Sequence, residues 1–135
     1  MGGPANTIEQ SLHDAVAGHA DVVRHEDGAW RILTGADIIS VELDEQARRV
    51  CFSMEYLGEM PELPREKLVM LMQYSFLWNV TDGLYFALND EERPIMMVAF
   101  PVSEIDAPFV RSVVFGMVQK FSVWKEIISD GHLGG

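Results

Sequence analysis

The sequence predicts an α+β domain in the order α-β-β-β-α-β-β-α, with a twisted antiparallel sheet of about five strands packed on helices. Three stretches repeat apolar residues at three- and four-residue steps, as a helix with a buried face does. Two others, 37–43 and 49–57, alternate apolar and polar residues, the period of a strand with one face in the core and one in water. Turn residues such as Gly28, Gly35 and Gly83 stand between these stretches. No internal repeat, low-complexity tract or domain boundary interrupts the 135 residues, and 58–64 reads as a linker into the middle helix. One domain, 1–135, is therefore expected, with 1–6 and 131–135 flexible.

The first helix is expected over 7–24. Thr7 and Gln10 have capping-box spacing, in which each side chain satisfies a donor left over at the helix start. Ile8, Leu12, Ala15, His19 and Val22 or Val23 form its stripe, and His25-Glu26-Asp27-Gly28 is the turn after it. Strands are expected at Ala29–Thr34, Asp37–Leu43 and Arg49–Leu57. In the second, Ile39, Val41 and Leu43 alternate with Ser40 and Glu42; in the third, Val50, Phe52, Met54 and Tyr56 alternate with Cys51, Ser53 and Glu55.

Later in the chain, Thr81-Asp82-Gly83 turns into a strand at Leu84–Leu88, and Ile95–Phe100 returns after the charged loop 89–94. This hairpin is apolar on both faces through Leu84-Tyr85-Phe86 and Ile95-Met96-Met97-Val98, so both faces are expected to be covered. Asp106 caps the last helix and Pro108 sits in its first turn. Val110, Val113/Val114, Met117, Phe121, Trp124 and Ile128 supply its stripe, and Gly131 stops it.

The middle helix, 65–79, is different. Pro64 suits its start, where a missing N–H is harmless, and Arg65-Glu66-Lys67 make a charged first turn. From Leu68 to Trp78 only Gln73 and Ser75 interrupt the apolar run. Leu68, Leu71 and Met72 occupy one side, Met70, Tyr74 and Leu77 another, and a helix apolar nearly all round must be covered nearly all round. It is too short for a bilayer, which needs ~20 apolar residues. One face is expected to meet its own core and the other a second subunit.

Composition narrows the partners. The 21 acidic against 10 basic residues give a formal net charge of −11, which disfavours nucleic acid and anionic membrane surfaces. A hydrophobic fraction of 48% and three tryptophans argue against disorder. Cys51 is the single cysteine, so neither an intrachain disulfide nor a cysteine zinc cluster is available. Met1-Gly2-Gly3-Pro4 lacks the basic and apolar regions of a signal peptide, and a cytoplasmic location is expected.

Chemistry is sparse. His13, His19 and His25 are six residues apart, so a helix would turn each from the last by about 240°. Asp21 and His25 make two ligands without a third. Cys51 has Arg49 and Ser53 on its face of the strand and no histidine beside it. Asp90-Glu91-Glu92 sit at a hairpin tip, where carboxylates are solvated. HExxH, GxSxG, P-loop and GxGxxG patterns are missing. The chain reads as a non-enzyme without catalytic residues, cofactor or metal, a small-molecule pocket around Trp30, Tyr56 and Cys51 being the alternative. Seven of the eight methionines, Met54, Met60, Met70, Met72, Met96, Met97 and Met117, lie in the predicted fold, and methionine suits adaptable binding surfaces.

Several landmarks then resemble the class I type III secretion chaperones, the Tir-chaperone or CesT-like family of small acidic dimeric proteins. They are the helix order, Leu57-Gly58-Glu59-Met60-Pro61 after the third strand, and a helix Leu68 to Asn79 ending in asparagine. Thr81-Asp82-Gly83, Phe100-Pro101 and Phe121-x-x-Trp124 complete the match, which spans about 7–130. The resemblance implies the same element order and a homodimer built largely through the second helix, here with Met70, Tyr74, Leu77, Trp78 and Tyr85 at the interface. It also implies a partner, the N-terminal segment of a secreted effector, held in extended form and soluble for a secretion apparatus. Grooves would take its apolar side chains, and exposed strand edges could add a strand. By position the groove role falls to Ile8, Leu12 and Val16 of the first helix and to Val41, Leu43, Phe52 and Met54 of the strands. The YbjN-like proteins, of related fold, match much of the same pattern and imply instead a regulatory dimer with a folded client.

Overall fold

The computed structural model describes residues 3–59, 63–77 and 83–129. Its elements are α1 (Pro4–Val16), β1 (Asp21–Arg24), β2 (Trp30–Leu33), β3 (Ile38–Asp44), β4 (Arg49–Glu55), α2 (Arg65–Phe76), β5 (Tyr85–Leu88), β6 (Pro94–Pro101) and α3 (Ala107–Ser129). The strands form one sheet in the order β1-β2-β3-β4-β6-β5, every neighbouring pair antiparallel. The α+β class holds, and among the described residues the sheet has six strands rather than about five.

The extra strand comes out of the expected first helix. That helix starts at Pro4, with Gly3 rather than Thr7 at its cap, and ends at Val16. Gly18 then takes φ +82, a left-handed conformation that closes helices and that side chains resist. The amides of His19 and Ala20 both donate to the Val16 carbonyl, which completes the stop. Beyond it the β-branched pair Val22-Val23 joins a strand, where such side chains fit well. Gly28, at φ +88, turns that strand back into β2.

Alternation decides which side chains enter the core. Val22, Ile32, Ile39, Val41, Val50, Phe52, Met54, Met96 and Val98 point to one face of the sheet, where they meet Ile8, Leu12 and Val16 of α1. Across that core lie Val110, Val114, Met117, Phe121, Trp124 and Ile128, the expected stripe of α3 with Val113 half-buried beside it. Asp106 caps α3 as expected, its Oδ1 accepting the Phe109 amide at 2.9 Å. Lys125 Nζ donates to Asp37 Oδ1 at 2.7 Å and fastens α3 to the turn between β2 and β3. Arg111 Nε donates to the Ala15 carbonyl at 3.1 Å, which ties α3 to the end of α1.

Candidate functional site

Helix α2 keeps two apolar sides, divided differently from the sequence reading. Lys67 and Leu71 are buried, and Leu68, Met70, Tyr74 and Ser75 are half-buried. Val69, Met72 and Phe76 lie at i, i+3 and i+7, one helical face, and all three are exposed, Met72 to 75% and Phe76 to 81%. Met72 thus leaves the side assigned to Leu68 and Leu71. Lys67, the last residue of the expected charged first turn, is 1% exposed and donates through Nζ to the Ile128 carbonyl at 3.3 Å. The amine holds the start of α2 to the end of α3, a long-range role that local charge could not reveal.

Tyr74 belongs to the core side. Its ring meets Trp124 edge-on at 5.1 Å and Phe86 at 5.7 Å, and Phe86 meets Trp124 at 5.0 Å. Three such aromatic contacts lock α2, β5 and α3 together. Ser75 adds a polar stitch: its hydroxyl donates to the Leu71 carbonyl and accepts the Phe86 amide at 2.8 Å. Beside that seam lies an apolar hollow of about 400 Å³, lined by Leu68, Leu71, Met72, Phe86, Ala87 and Leu88. Phe76 and Leu77 at the end of α2 and Leu88 of β5 are exposed as well, and Tyr85 is exposed on the opposite face of β5 from Phe86 and Leu88. Of the expected interface residues, Met70 and Tyr74 pack against the chain's own core, Leu77 and Tyr85 are exposed, and Trp78 lies outside the described residues.

The expected groove residues have another fate. Ile8, Leu12, Val16, Val41, Phe52 and Met54 are buried in the core of the chain, and Leu43 is half-buried against it. Their side chains fill space between sheet and helices and present no surface. Apolar spacing marks a residue as inward; it does not say whether inward means a core or a groove. The suggested pocket fails on the same periodicity: Trp30 and Tyr56 are buried in the core, whereas Cys51 points to the opposite face of β4. Burial, and secondarily the charge of Glu42, raises the Cys51 thiol above its ordinary range.

A second hollow, of about 410 Å³, opens where the β1–β2 hairpin meets the end of β3. It is lined by Arg24, Asp27, Trp30, Glu42 and Glu45 among others. Arg24 lies 4.9 Å from the Trp30 ring centre and 3.8 Å from Glu9. Glu9 also accepts the indole N–H of Trp30 at 2.9 Å. The Ala29 amide, above all, and Arg31 hold the Asp27 carboxyl below its ordinary value. Among the described residues no three His, Cys, Asp or Glu side chains stand close enough to hold a metal ion, and no helix is long and apolar enough to cross a membrane.

Two comparisons return nothing: neither a family model nor a curated protein matches this sequence. Solved structures do match. A chain of the ExsC–ExsE complex superimposes with a TM-score of 0.75 at 12% identity, over 93% of this chain and 98% of that one. The HopA1–SchA chaperone–effector complex gives 0.69 at 14%, over 93% and 99%. The Yersinia pestis type III secretion chaperone SycH, in complex with a stable fragment of YscM2, gives 0.67 at 10%, over 94% and 100%. This chain has the type III secretion chaperone fold. At such identities the likeness resides in backbone path and not in shared side chains, so the fold carries over and individual contacts do not. On this fold the chain presents exposed apolar residues on α2 and β5, and acidic residues around the β1–β2 hairpin.

Proposed function

We propose that this protein is a cytoplasmic, non-enzymatic chaperone that acts as a homodimer. On this reading it holds the N-terminal segment of a secreted effector in extended form, soluble and competent for a type III secretion system. The observation that carries the proposal is the exposed apolar surface over α2 and β5, on a chain with the type III secretion chaperone fold. Val69, Met72, Phe76, Leu77, Tyr85 and Leu88 supply the dimer contact, a larger and more outward set than Met70 and Tyr74. Exposed large apolar residues gathered on two neighbouring elements support an interaction site rather than ordinary surface. The buried residues first assigned to a groove are left to the core, and the client runs over the outer surfaces and strand edges instead.

The test uses a partner co-purified from the source cells. Its isolated N-terminal segment is expected to bind the full chain and to become resistant to a non-specific protease in the complex. If binding requires the folded, full-length partner and no segment is protected, the chaperone reading is wrong and a regulatory dimer takes its place.

A further inference from the structure

Among the methionines of the fold, Met72 stands apart. Met54, Met96 and Met117 are buried in the core, and Met70 and Met97 are half-buried. Met72 is 75% exposed, in the middle of the α2 face that Val69 and Phe76 complete. Met1 and Met60 lie outside the described residues. Oxidation of a side-chain sulfur follows its exposure, so among the described methionines Met72 is the one most open to a peroxide.

The surroundings of Met72 fix what oxidation does there. Its neighbours three and four residues away on the helix are Leu68, Val69, Ser75 and Phe76. Phe86 and Leu88 of β5 line the same hollow. Ser75 has the one hydroxyl in this set, and its O–H is already given to the Leu71 carbonyl. Gln73, the next residue along, is turned about 100° away around the helix. A thioether suits this setting, because it is apolar and adapts to what packs on it. A sulfoxide does not. Its oxygen is well solvated while the face is open, but under an apolar cover it loses that water and meets no donor in exchange.

We propose that Met72 is a peroxide-sensitive modification site, whose oxidation to the sulfoxide keeps the α2 face from being covered. This rests on the reading that two copies meet through that face. In the step, the sulfur lone pair attacks one peroxide oxygen, and the S–O bond forms as the O–O bond breaks. The sulfur gives up two electrons, and hydrogen peroxide is reduced to water. The sulfur is reachable in a single chain and shielded once two copies meet, so the oxidant acts on chains that are newly made or apart. Methionine sulfoxide reductases, drawing electrons from a thiol, return the thioether, which makes the block reversible.

The test adds hydrogen peroxide to the full chain over a range of protein concentrations. Peptide mass spectrometry follows each methionine, and analytical ultracentrifugation follows association. Met72 is expected to oxidise about tenfold faster than Met54, Met96 or Met117 in the most dilute samples, and to slow as concentration rises. The dissociation constant of the oxidised parent should rise roughly a hundredfold, about tenfold for each of the two sulfoxides that an isologous contact buries. Reductase treatment should restore the starting value. Met72→Leu should keep whatever dissociation constant it starts with through the same peroxide treatment, whereas Met97→Leu should respond as the parent does. Met72 oxidising no faster than the buried methionines overturns the inference. So does a Met72→Leu chain that loses association under peroxide, or an oxidised parent that associates as before. In each of those cases a dimeric parent leaves the dimer reading standing. A parent that is monomeric before any peroxide removes the dimer reading, and the consequence drawn from it here falls with it.

Discussion

Cys51 shows how much a residue's meaning depends on the sheet face it occupies. It stands between Val50 and Phe52, both buried, yet it faces the other way and lies opposite Glu42 and Ala99 on the neighbouring strands. Partial burial and, less, the Glu42 carboxylate hold its thiol protonated above the ordinary value of 9.0. Because the folded chain binds this proton more tightly than the unfolded chain, its contribution to stability is full below 9.0 and is lost as pH rises beyond it. Alkylation by iodoacetamide at pH 8 should therefore be slower in the native protein than in the urea-unfolded one. Glu42→Gln should recover a minor part of the rate, since burial is the larger cause; a native rate equal to the unfolded one would contradict this. Lys67 teaches the complementary lesson. Its neighbours Arg65 and Glu66 are exposed, and nothing in the local sequence separates it from them. Only the arrival of Ile128 from the far end of α3 makes it a buried tie.

At the scale of elements, the division between α1 and β1 depends on Gly18. The periodicity from Ile8 to Val23 satisfies a helix, but the conformation at Gly18 does not. Nothing lies within 4 Å of a Cβ built there, so a substitution would meet backbone strain and no clash. Gly18→Val should cost roughly 1–2 kcal/mol and Gly18→Asn less, read from urea unfolding midpoints. A neutral Gly18→Val would mean that the turn is not held in the left-handed form. The rest of the element order was legible because its signals were strong: strict alternation in β3 and β4, Asp106 ahead of α3, and apolar residues at regular helical steps along α3. The start of α2 at Arg65 and its two apolar sides were legible too, whereas the helix ends at Phe76 and not at the expected Asn79. The assignment of residues to those sides was not, because it depends on where β5 and α3 lie around the helix.

For the molecule as a whole, Val69, Met72 and Phe76 form an exposed apolar face on α2. Two copies meeting through α2 and β5 would bury them, and a charge placed there would have to be desolvated. Phe76→Asp should yield a monomer that remains folded, because the parent side chain is 81% exposed and packs on little of its own chain. Tyr74→Asp should instead unfold the protomer, since its ring is set against Trp124 and Phe86. Light scattering of the parent, together with circular dichroism of both variants, separates the outcomes. A parent of one-chain mass sinks the dimer, and a folded monomer from Tyr74→Asp sinks the division of faces.

Taken alone, the sequence determined the α+β class, the inward-facing set of β3, β4 and α3, and the existence of a helix with more apolar surface than one core face needs. These follow from periodicity, which is a local property of the chain. Tertiary structure decided that Ile8, Leu12, Val16, Val41, Phe52 and Met54 are core, that Tyr74 turns inward while Phe76 turns out, and that β1 and β5 are the outer strands of the sheet, with Ser75 taking the Phe86 amide of β5. Burial and hydrogen-bond satisfaction depend on which distant segments arrive at a residue, and spacing along the chain carries no record of that.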